Sequence, residues 1–385
     1  MKALVYAQHL LGTGHVVRAA ALARALAARD VATTLVSGNH IPRTLDTKGL
    51  DVALLPPARA ADAVFSGVVD DSGAPISEPW KAARRDRLLS IWRDLDPDIL
   101  ITETWPFGRN AFAFELAPLL DLARSSGRGP LIVSSVRDIL VRKQSEKKER
   151  RMADRARARF DLVLVHGDPA LIALDASFPF TGEIADLIRY TGYIDTGADA
   201  PVPPAEDGVD EVIVSCGGGA VGRALLETAL VARSHSEQAA EFTWRFLVGA
   251  DLSGDVLAEL TKRAGQGAIV EPARRDFPAL LNRARLSVSQ CGYNTAVDVL
   301  TAGCAAVFVP FARGGETEQA QRADLLADRG LAVTVTEAGL TPPILAKAVD
   351  SALTQPRQTV PIAAEGARTA ADIVLAAHAA TGSRI

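Results

Sequence analysis

SQCGYNTAVDVLTAGCAAVFVPFARGGETEQAQRADLLADRG, residues 289–330, decides the fold. The apolar run Leu286–Ser289 reads as a strand ending just before Cys291-Gly292. A helix carrying Asp298 follows, then a second buried strand, Ala305–Phe311, then a glycine-containing loop and a helix opening with Glu316, Glu318, Gln319 and Gln321. Strand and helix in alternation predict a parallel α/β sheet, and in such sheets ligands gather outside the carboxyl ends of the strands. Both polar sets lie just past such ends, so one ligand can meet both. Gly292 permits close backbone approach. A carboxylate one turn into a helix can bind a diol, and carboxamides can read further hydroxyls. A ligand with two polyol parts, such as a sugar nucleotide, fits both sets.

The alternation extends outward through the whole chain. The first half has expected strands at Lys2–Ala7, Val31–Ser37, Asp51–Leu55, Ile99–Thr102, Leu131–Ser134 and Leu162–His166, with a helix at His15–Ala28. The second half restarts at Glu211–Ser215 and continues near Thr243–Val248, Ala268–Val270, Leu286–Ser289, Ala305–Phe311 and Ala332–Val335. Between them Asp195–Asp210, rich in proline and acidic residues and without apolar periodicity, reads as a linker. The expected division is a Rossmann-like domain over 1–195, a linker over 196–210, a second Rossmann-like domain over 211–360, and a C-terminal helix over 361–385 packing across both.

At 385 residues the chain is long enough for two full cores. A net charge of −4 gives no global affinity for nucleic acid. Cys216, Cys291 and Cys304 share no CxxC or metal-ligand spacing, the pattern of reduced thiols in the cytoplasm. The start, MKALVYAQ, is too short and polar-flanked for a signal peptide, and no apolar run reaches about 18 residues. The expected location is cytoplasmic, free or peripheral at the inner face of the membrane. Arg142–Arg159 holds nine basic and three acidic residues and reads as an exposed helix that can meet anionic lipid head groups. It lacks the interleaved aromatics of a nucleic-acid surface. No Asp-x-Asp pair ends a strand, so no metal is expected.

Both halves open with strand, glycine-containing loop and helix. Gly217, Gly218 and Gly219 follow the first strand of the second half, where backbone N–H groups at a helix start can bind a diphosphate. No Gly-Lys-Ser/Thr follows, and GxGxxG is met only loosely, so this is neither a P-loop nor a dinucleotide fingerprint. In the first half, GTGHVVR puts His15 at the start of a helix, where a neutral imidazole can take a proton from an attacking hydroxyl. Arg18 lies one turn further on. Glu103 and Asp138 both end apolar strands, and either can orient His15. Trp105 beside Glu103 can stack on an acceptor ring, and Arg109 and Arg137 share that rim.

Together these motifs resemble those of GT-B glycosyltransferases, closest to the MurG-like branch, glycosyltransferase family 28. The resemblance covers nearly the whole chain and is strongest over residues 1–30 and 211–330. It implies an α/β fold of two Rossmann-like parallel-sheet domains facing across a cleft, with the donor on the C-terminal one. The family's GGTGGH loop matches Leu11-Gly12-Thr13-Gly14-His15, one glycine short. Its phosphate loop matches Gly217–Gly219. Its SG-x-x-T-x-x-E motif matches Cys291 to Asp298, so Gly292, Asn294, Thr295 and Asp298 are expected on the donor, with Asp298 in place of the family's Glu. Its paired glutamines for the donor sugar fall on Glu318 and Gln319. The implied activity is inverting, metal-independent transfer of a sugar from a nucleotide-diphosphate donor, UDP-linked, to a hydroxyl acceptor, free or lipid-linked. No cofactor beyond that co-substrate is implied. His15 would be the base, with Gly14, Arg18, Trp105, Arg109 and Arg137 on the acceptor side. The GTGH-x-x-R form also resembles a sugar-nucleotide hydrolase of nonulosonic acid synthesis, and a non-catalytic sugar-nucleotide-binding protein is the third reading. The larger N-terminal half favours the transferase.

Overall fold

Ile99–Glu103 and Leu162–His166 are buried along their whole length, and Lys2–Ala7 and Ala32–Ser37 at every position but the first. Strands covered on both faces carry Val, Ile and Leu continuously rather than in alternation, the mark of a parallel sheet between helices. The architecture comes from a computed structural model. It describes the chain except residues 63–64, 144, 198–199, 217–221, 250–251, 253, 314, 357–360 and 383–385. Two compact units form, residues 1–194 with 363–385, and residues 195–362.

The first unit runs β1 (Lys2–Ala7), α1 (Gly14–Ala27), β2 (Ala32–Ser37), β3 (Asp51–Leu54), β4 (Ala58–Ala60), β5 (Val68–Asp70), α2 (Glu78–Leu95), β6 (Ile99–Glu103), α3 (Ala113–Ser125), β7 (Leu131–Arg137), α4 (Glu146–Arg159), β8 (Leu162–His166) and β9 (Ile188–Tyr190). β4 and β5 pair as an antiparallel ribbon. The others form one parallel sheet in the order β3-β2-β1-β6-β7-β8-β9. The order reverses between β1 and β6, which align Ala3 with Ile99 and Tyr6 with Thr102. Ligand crevices of parallel sheets open at such reversals.

The second unit runs β10 (Val212–Ser215), α5 (Arg223–Ala232), β11 (Trp244–Val248), α6 (Gly254–Arg263), β12 (Ala268–Pro272), α7 (Phe277–Leu281), β13 (Leu286–Ser289), α8 (Tyr293–Ala302), β14 (Ala305–Phe308), α9 (Glu318–Asp328), β15 (Val333–Thr334) and α10 (Pro342–Thr354). Its parallel sheet has the order β12-β11-β10-β13-β14-β15, with the reversal between β10 and β13. Buried Arg245 of β11 ion-pairs with Glu211, Glu271 and Asp207, which ties the chain before β10 to the sheet.

Helix α11 (Gly366–Gly382) returns to the first unit, where Ala370, Ala371 and Val374 share a core with Val5, Val16 and Leu164. At the return, Tyr193 N–H donates to the Ala363 carbonyl at 2.7 Å and Gly366 N–H to the Tyr193 carbonyl at 2.8 Å. Gly192 is required there: its φ is +79°, and a Cβ would stand 2.5 Å from the Ala363 oxygen.

The expected strands are present, most with ends within two residues; β7 runs on to Arg137, and β14 stops at Phe308 instead of Phe311. β4, β5 and β9 escape a sequence reading because three residues are too few to show a period.

Beneath β1 the first unit closes over a charged cluster. Arg84 and Glu115 are fully buried and paired, Nε to Oε2 at 2.7 Å. Arg84 also donates to Gln8 Oε1 at 2.5 Å and to the Gly38 carbonyl at 2.9 Å, while the Tyr6 hydroxyl donates to Glu115 Oε1 at 2.5 Å. Removing one member of a buried pair leaves an uncompensated charge, a loss of roughly 3–5 kcal/mol. Glu115→Ala is therefore expected to lower unfolding stability by about that much. The apolar double variant Arg84→Met/Glu115→Leu should lose clearly less. Urea unfolding of both checks this, and equal losses would show that charge is not the cause.

Candidate functional site

Glu103 ends β6 and is 1% exposed. A carboxylate so deeply buried needs donors to stay ionised. Arg18 of α1 ion-pairs with its Oε1. His15 Nδ1 lies 3.1 Å from the same oxygen. Ser135 of β7, the register partner of Glu103, donates to Oε2 at 2.6 Å. An ionised carboxylate only accepts, so this contact favours the His15 tautomer with its proton on Nδ1, facing Glu103. Nε2 then carries the lone pair. Thr104 Oγ1 and Arg18 Nη2 also approach Nδ1, at 3.1 and 3.3 Å.

His15 is 8% exposed. Burial, reinforced by the charges of Arg109, Arg137 and Arg18, holds its pKa well below the ordinary 6.5. The positive end of α1 acts in the same sense. The ring is therefore neutral at pH 7. Arg109 donates from Nε to the Gln8 carbonyl at 2.7 Å. Burial and the neighbouring Arg137 bring its pKa down to about 10. Gly14 is the first residue of α1.

The turn after β6 is strained where it meets His15. Thr104 has φ +70°, a region that β-branched residues rarely enter. Its N–H donates to the Ser135 carbonyl at 2.7 Å, and the hydroxyls of Thr102 and Ser134 hold the Trp105 carbonyl at 3.0 and 2.7 Å. Trp105 itself is 3% exposed and packs in the core. That corrects the expectation of a ring available for stacking on an acceptor. Of the two carboxylates considered for His15, Glu103 is the one on its ring. Asp138 is buried and accepts from the Ile139 N–H at 2.9 Å.

Ser135 and His166 were not singled out from sequence. His166 ends β8, with Nε2 2.9 Å from Ser135 Oγ and Nδ1 2.9 Å from Thr191 Oγ1. Burial brings its pKa down to about 3, so it too is neutral. The available signal was a polar residue closing an otherwise apolar strand beside two others that do the same.

In the second unit, Gly292 caps the start of α8, just past the carboxyl end of β13. A Cβ on it would meet nothing within 4 Å, so no internal packing demands glycine there. Asn294 and Asp298 lie four residues apart on α8, hence on one face, with Thr295 between them. Asn294 Oδ1 and Asp298 Oδ1 are both buried without a hydrogen-bond partner among the described residues. Buried polar atoms of native proteins are nearly always satisfied, which makes this pair a candidate acceptor of a ligand's donors. Burial, and then nearby Asp195, push the Asp298 pKa well above its ordinary value.

Glu318 opens α9, buried, with Oε1 accepting from Arg322 at 2.7 Å. Arg322 Nη1 donates to the Cys291 carbonyl at 2.9 Å, so this arginine ties α9 to the start of α8. Gln319 Oε1 accepts from the Phe311 N–H at 3.1 Å, which leaves its NH₂ group for other partners. Gly217, Gly218 and Gly219 lie outside the described residues. Gly222 itself has φ +118°, and a Cβ on it would stand 2.2 Å from Cys216. Among the described residues no group of three His, Cys, Asp or Glu side chains is arranged to hold a metal, and no helix is long and apolar enough to cross a membrane.

Residues 213–375 match the glycosyltransferase family 28 C-terminal domain. The chain is 32% identical over 179 residues to the UDP-N-acetylglucosamine–N-acetylmuramyl-(pentapeptide) pyrophosphoryl-undecaprenol N-acetylglucosamine transferase of Phenylobacterium zucineum, and 28% identical over 186 residues to that of Nostoc punctiforme. These matches cover 45% and 47% of the chain and span 48% and 46% of those relatives, about half their length. Similar solved structures include Acinetobacter baumannii MurG (TM-score 0.60, 16% identity, 98% of this chain and 100% of that one) and the spinosyn rhamnosyltransferase SpnG (TM-score 0.63, 15% identity, 99% and 96%). The chain has the GT-B fold, and its residues 213–375 match the glycosyltransferase family 28 C-terminal domain.

Proposed function

We propose that this chain is an inverting, metal-independent glycosyltransferase that moves a sugar from a nucleotide-diphosphate donor, UDP-linked, to a hydroxyl acceptor. One observation carries the reading: a buried, neutral His15 whose Nδ1 lies 3.1 Å from the Glu103 carboxylate, a contact that holds its proton on Nδ1 and leaves a lone pair on Nε2. The acceptor O–H gives its proton to Nε2 as its oxygen bonds to the anomeric carbon. The bond from that carbon to the diphosphate breaks on the opposite side, and the nucleoside diphosphate leaves. Glu103 stabilises the imidazolium that forms. Asn294 and Asp298 take the donor's diol, the Gln319 amide and Glu318 serve the donor sugar, and backbone N–H groups at Gly217–Gly219 stabilise charge on the diphosphate. Gly14, Arg18, Arg109 and Arg137 lie on the acceptor side.

The names of the matched relatives support a UDP-sugar donor and a lipid-linked acceptor. We place contact with a cytoplasmic membrane face on α4. That surface is less basic than its composition implies, because Arg142, Arg150, Arg157 and Arg159 are paired with Glu149, Glu183, Asp186 and Asp121. Exposed Lys147, Lys148 and Arg151 would carry the contact.

Nucleoside-diphosphate release from UDP-, dTDP- and GDP-sugars, with and without a membrane and small-molecule extract, tests the reading. Release that depends on the extract is expected. Release from the donor alone, at the same rate, would make the chain a hydrolase, and donor binding without release would make it a binding protein. His15→Ala should lower turnover about a hundredfold to ten-thousandfold and leave nucleotide binding intact. Because the His15 pKa lies well below 6.5, wild-type turnover should hold level as pH falls to 6.5 and drop only at more acidic pH. A half-fall near 6.5 would contradict a base held neutral by burial.

Asp298→Ala should weaken donor binding about tenfold to a hundredfold, the worth of hydrogen bonds to a charged group. The raised Asp298 pKa gives a sign. Donor hydroxyls favour the ionised form, so binding expels a proton and affinity rises with pH through that pKa. Asp298→Asn should abolish the slope in a calorimetric titration, and a slope that survives would remove Asp298 from the donor site.

A further inference from the structure

The hydrogen bonds behind Glu103 run in one direction. Ser135 has a single hydroxyl hydrogen, and the 2.6 Å contact with the Glu103 carboxylate claims it. Ser135 Oγ must then accept from His166, 2.9 Å away, so the His166 hydrogen sits on Nε2. His166 Nδ1 lies 2.9 Å from the Thr191 hydroxyl, whose one hydrogen also has the Gly192 carbonyl within reach at 2.8 Å. His166, Ser135 and Glu103 thus form a buried chain in which each donor faces the anion, an arrangement whose members polarise one another. Glu103 of β6 is the register partner of Ser135 on β7, and His166 of β8 is that of Arg137, two residues further along β7.

We infer that His166 is a positioning residue: through Ser135 it fixes the Glu103 carboxylate in the orientation that receives the Nδ1 proton of His15. The inference rests on His15 being the base proposed above. If Ser135 turned its hydrogen toward His166, Oε2 would lose that donor, and Glu103 would be held at Oε1 by Arg18 and the longer Thr104 contact. His15 would then lose the acceptor that selects its Nδ1–H tautomer, and with it the lone pair on Nε2. Leucine at 166 fills the space without donating to Ser135. Glutamine can donate to Ser135 and accept from Thr191.

Long-range ¹H–¹⁵N spectra of the imidazoles, recorded on the full chain without ligand, read the His15 tautomer independently of activity. Wild type should show His15 with hydrogen on Nδ1. His166→Leu should move it toward the Nε2–H form and lower turnover about tenfold to a hundredfold with donor KM unchanged. His166→Gln should restore most of both. If His166→Leu does not fold, Ser135→Ala removes the same link and should give the same pair of changes. The inference is overturned if wild-type His15 carries its hydrogen on Nε2, if the Leu and Ala variants keep the wild-type tautomer, or if Gln is as impaired as Leu. Full turnover in His15→Ala would sink the base assignment instead, and the tautomer spectra would still decide whether His166 orients Glu103.

Discussion

A carboxylate with almost no water around it governs the carboxyl end of the first sheet. Glu103 is buried, and α1, β7 and the turn after β6 each turn a polar group toward it. Low local dielectric makes each of those contacts strong and each omission costly. The constraint explains features that look unrelated in the chain. Arg18 is buried on a helix otherwise lined with alanine and leucine. Thr104 accepts a strained backbone that brings its hydroxyl to His15. A second histidine lies buried and neutral at the end of β8.

The second unit treats its buried carboxylate in the opposite way. Asp298 sits on a helix following the strand beside the reversal in sheet order, yet among the described residues its Oδ1 has no hydrogen-bond partner, and its pKa is driven up. One carboxylate is thus anchored by the protein itself, and the other is not, which is why the proposed donor site is put there. In both units the reversal in strand order, β1 against β6 and β10 against β13, creates the place.

Much of this was legible in the chain. Continuous apolar strands separated by helices gave the two parallel sheets, and a polar residue just past a strand end marked Glu103, Gly292 and Asp298. Misreadings came where burial overrode residue type. Trp105 looked like a stacking platform, but the turn that fixes Glu103 draws its ring into the core. What the chain does not show at Glu318 is its partner: Arg322, four residues on, binds it and reaches across to Cys291. The basic helix α4 finds much of its countercharge on neighbouring segments that no composition count can see.

By itself the sequence determined the elements, their alternation and the strand ends, because helix and strand periods and strand-end polarity are local properties of the chain. Which carboxylate meets His15 was a different matter. Glu103 and Asp138 end neighbouring strands β6 and β7 and look alike in one dimension. Register decided between them: Glu103 lies opposite Ser135, within reach of α1, while Asp138 lies past the end of β7 and turns to its own neighbour's amide. Hydrogen-bond partners and desolvation are set by groups 30 to 90 residues apart in the chain, such as Ser135 with Glu103 and His15 with Glu103, and only tertiary packing brings those together.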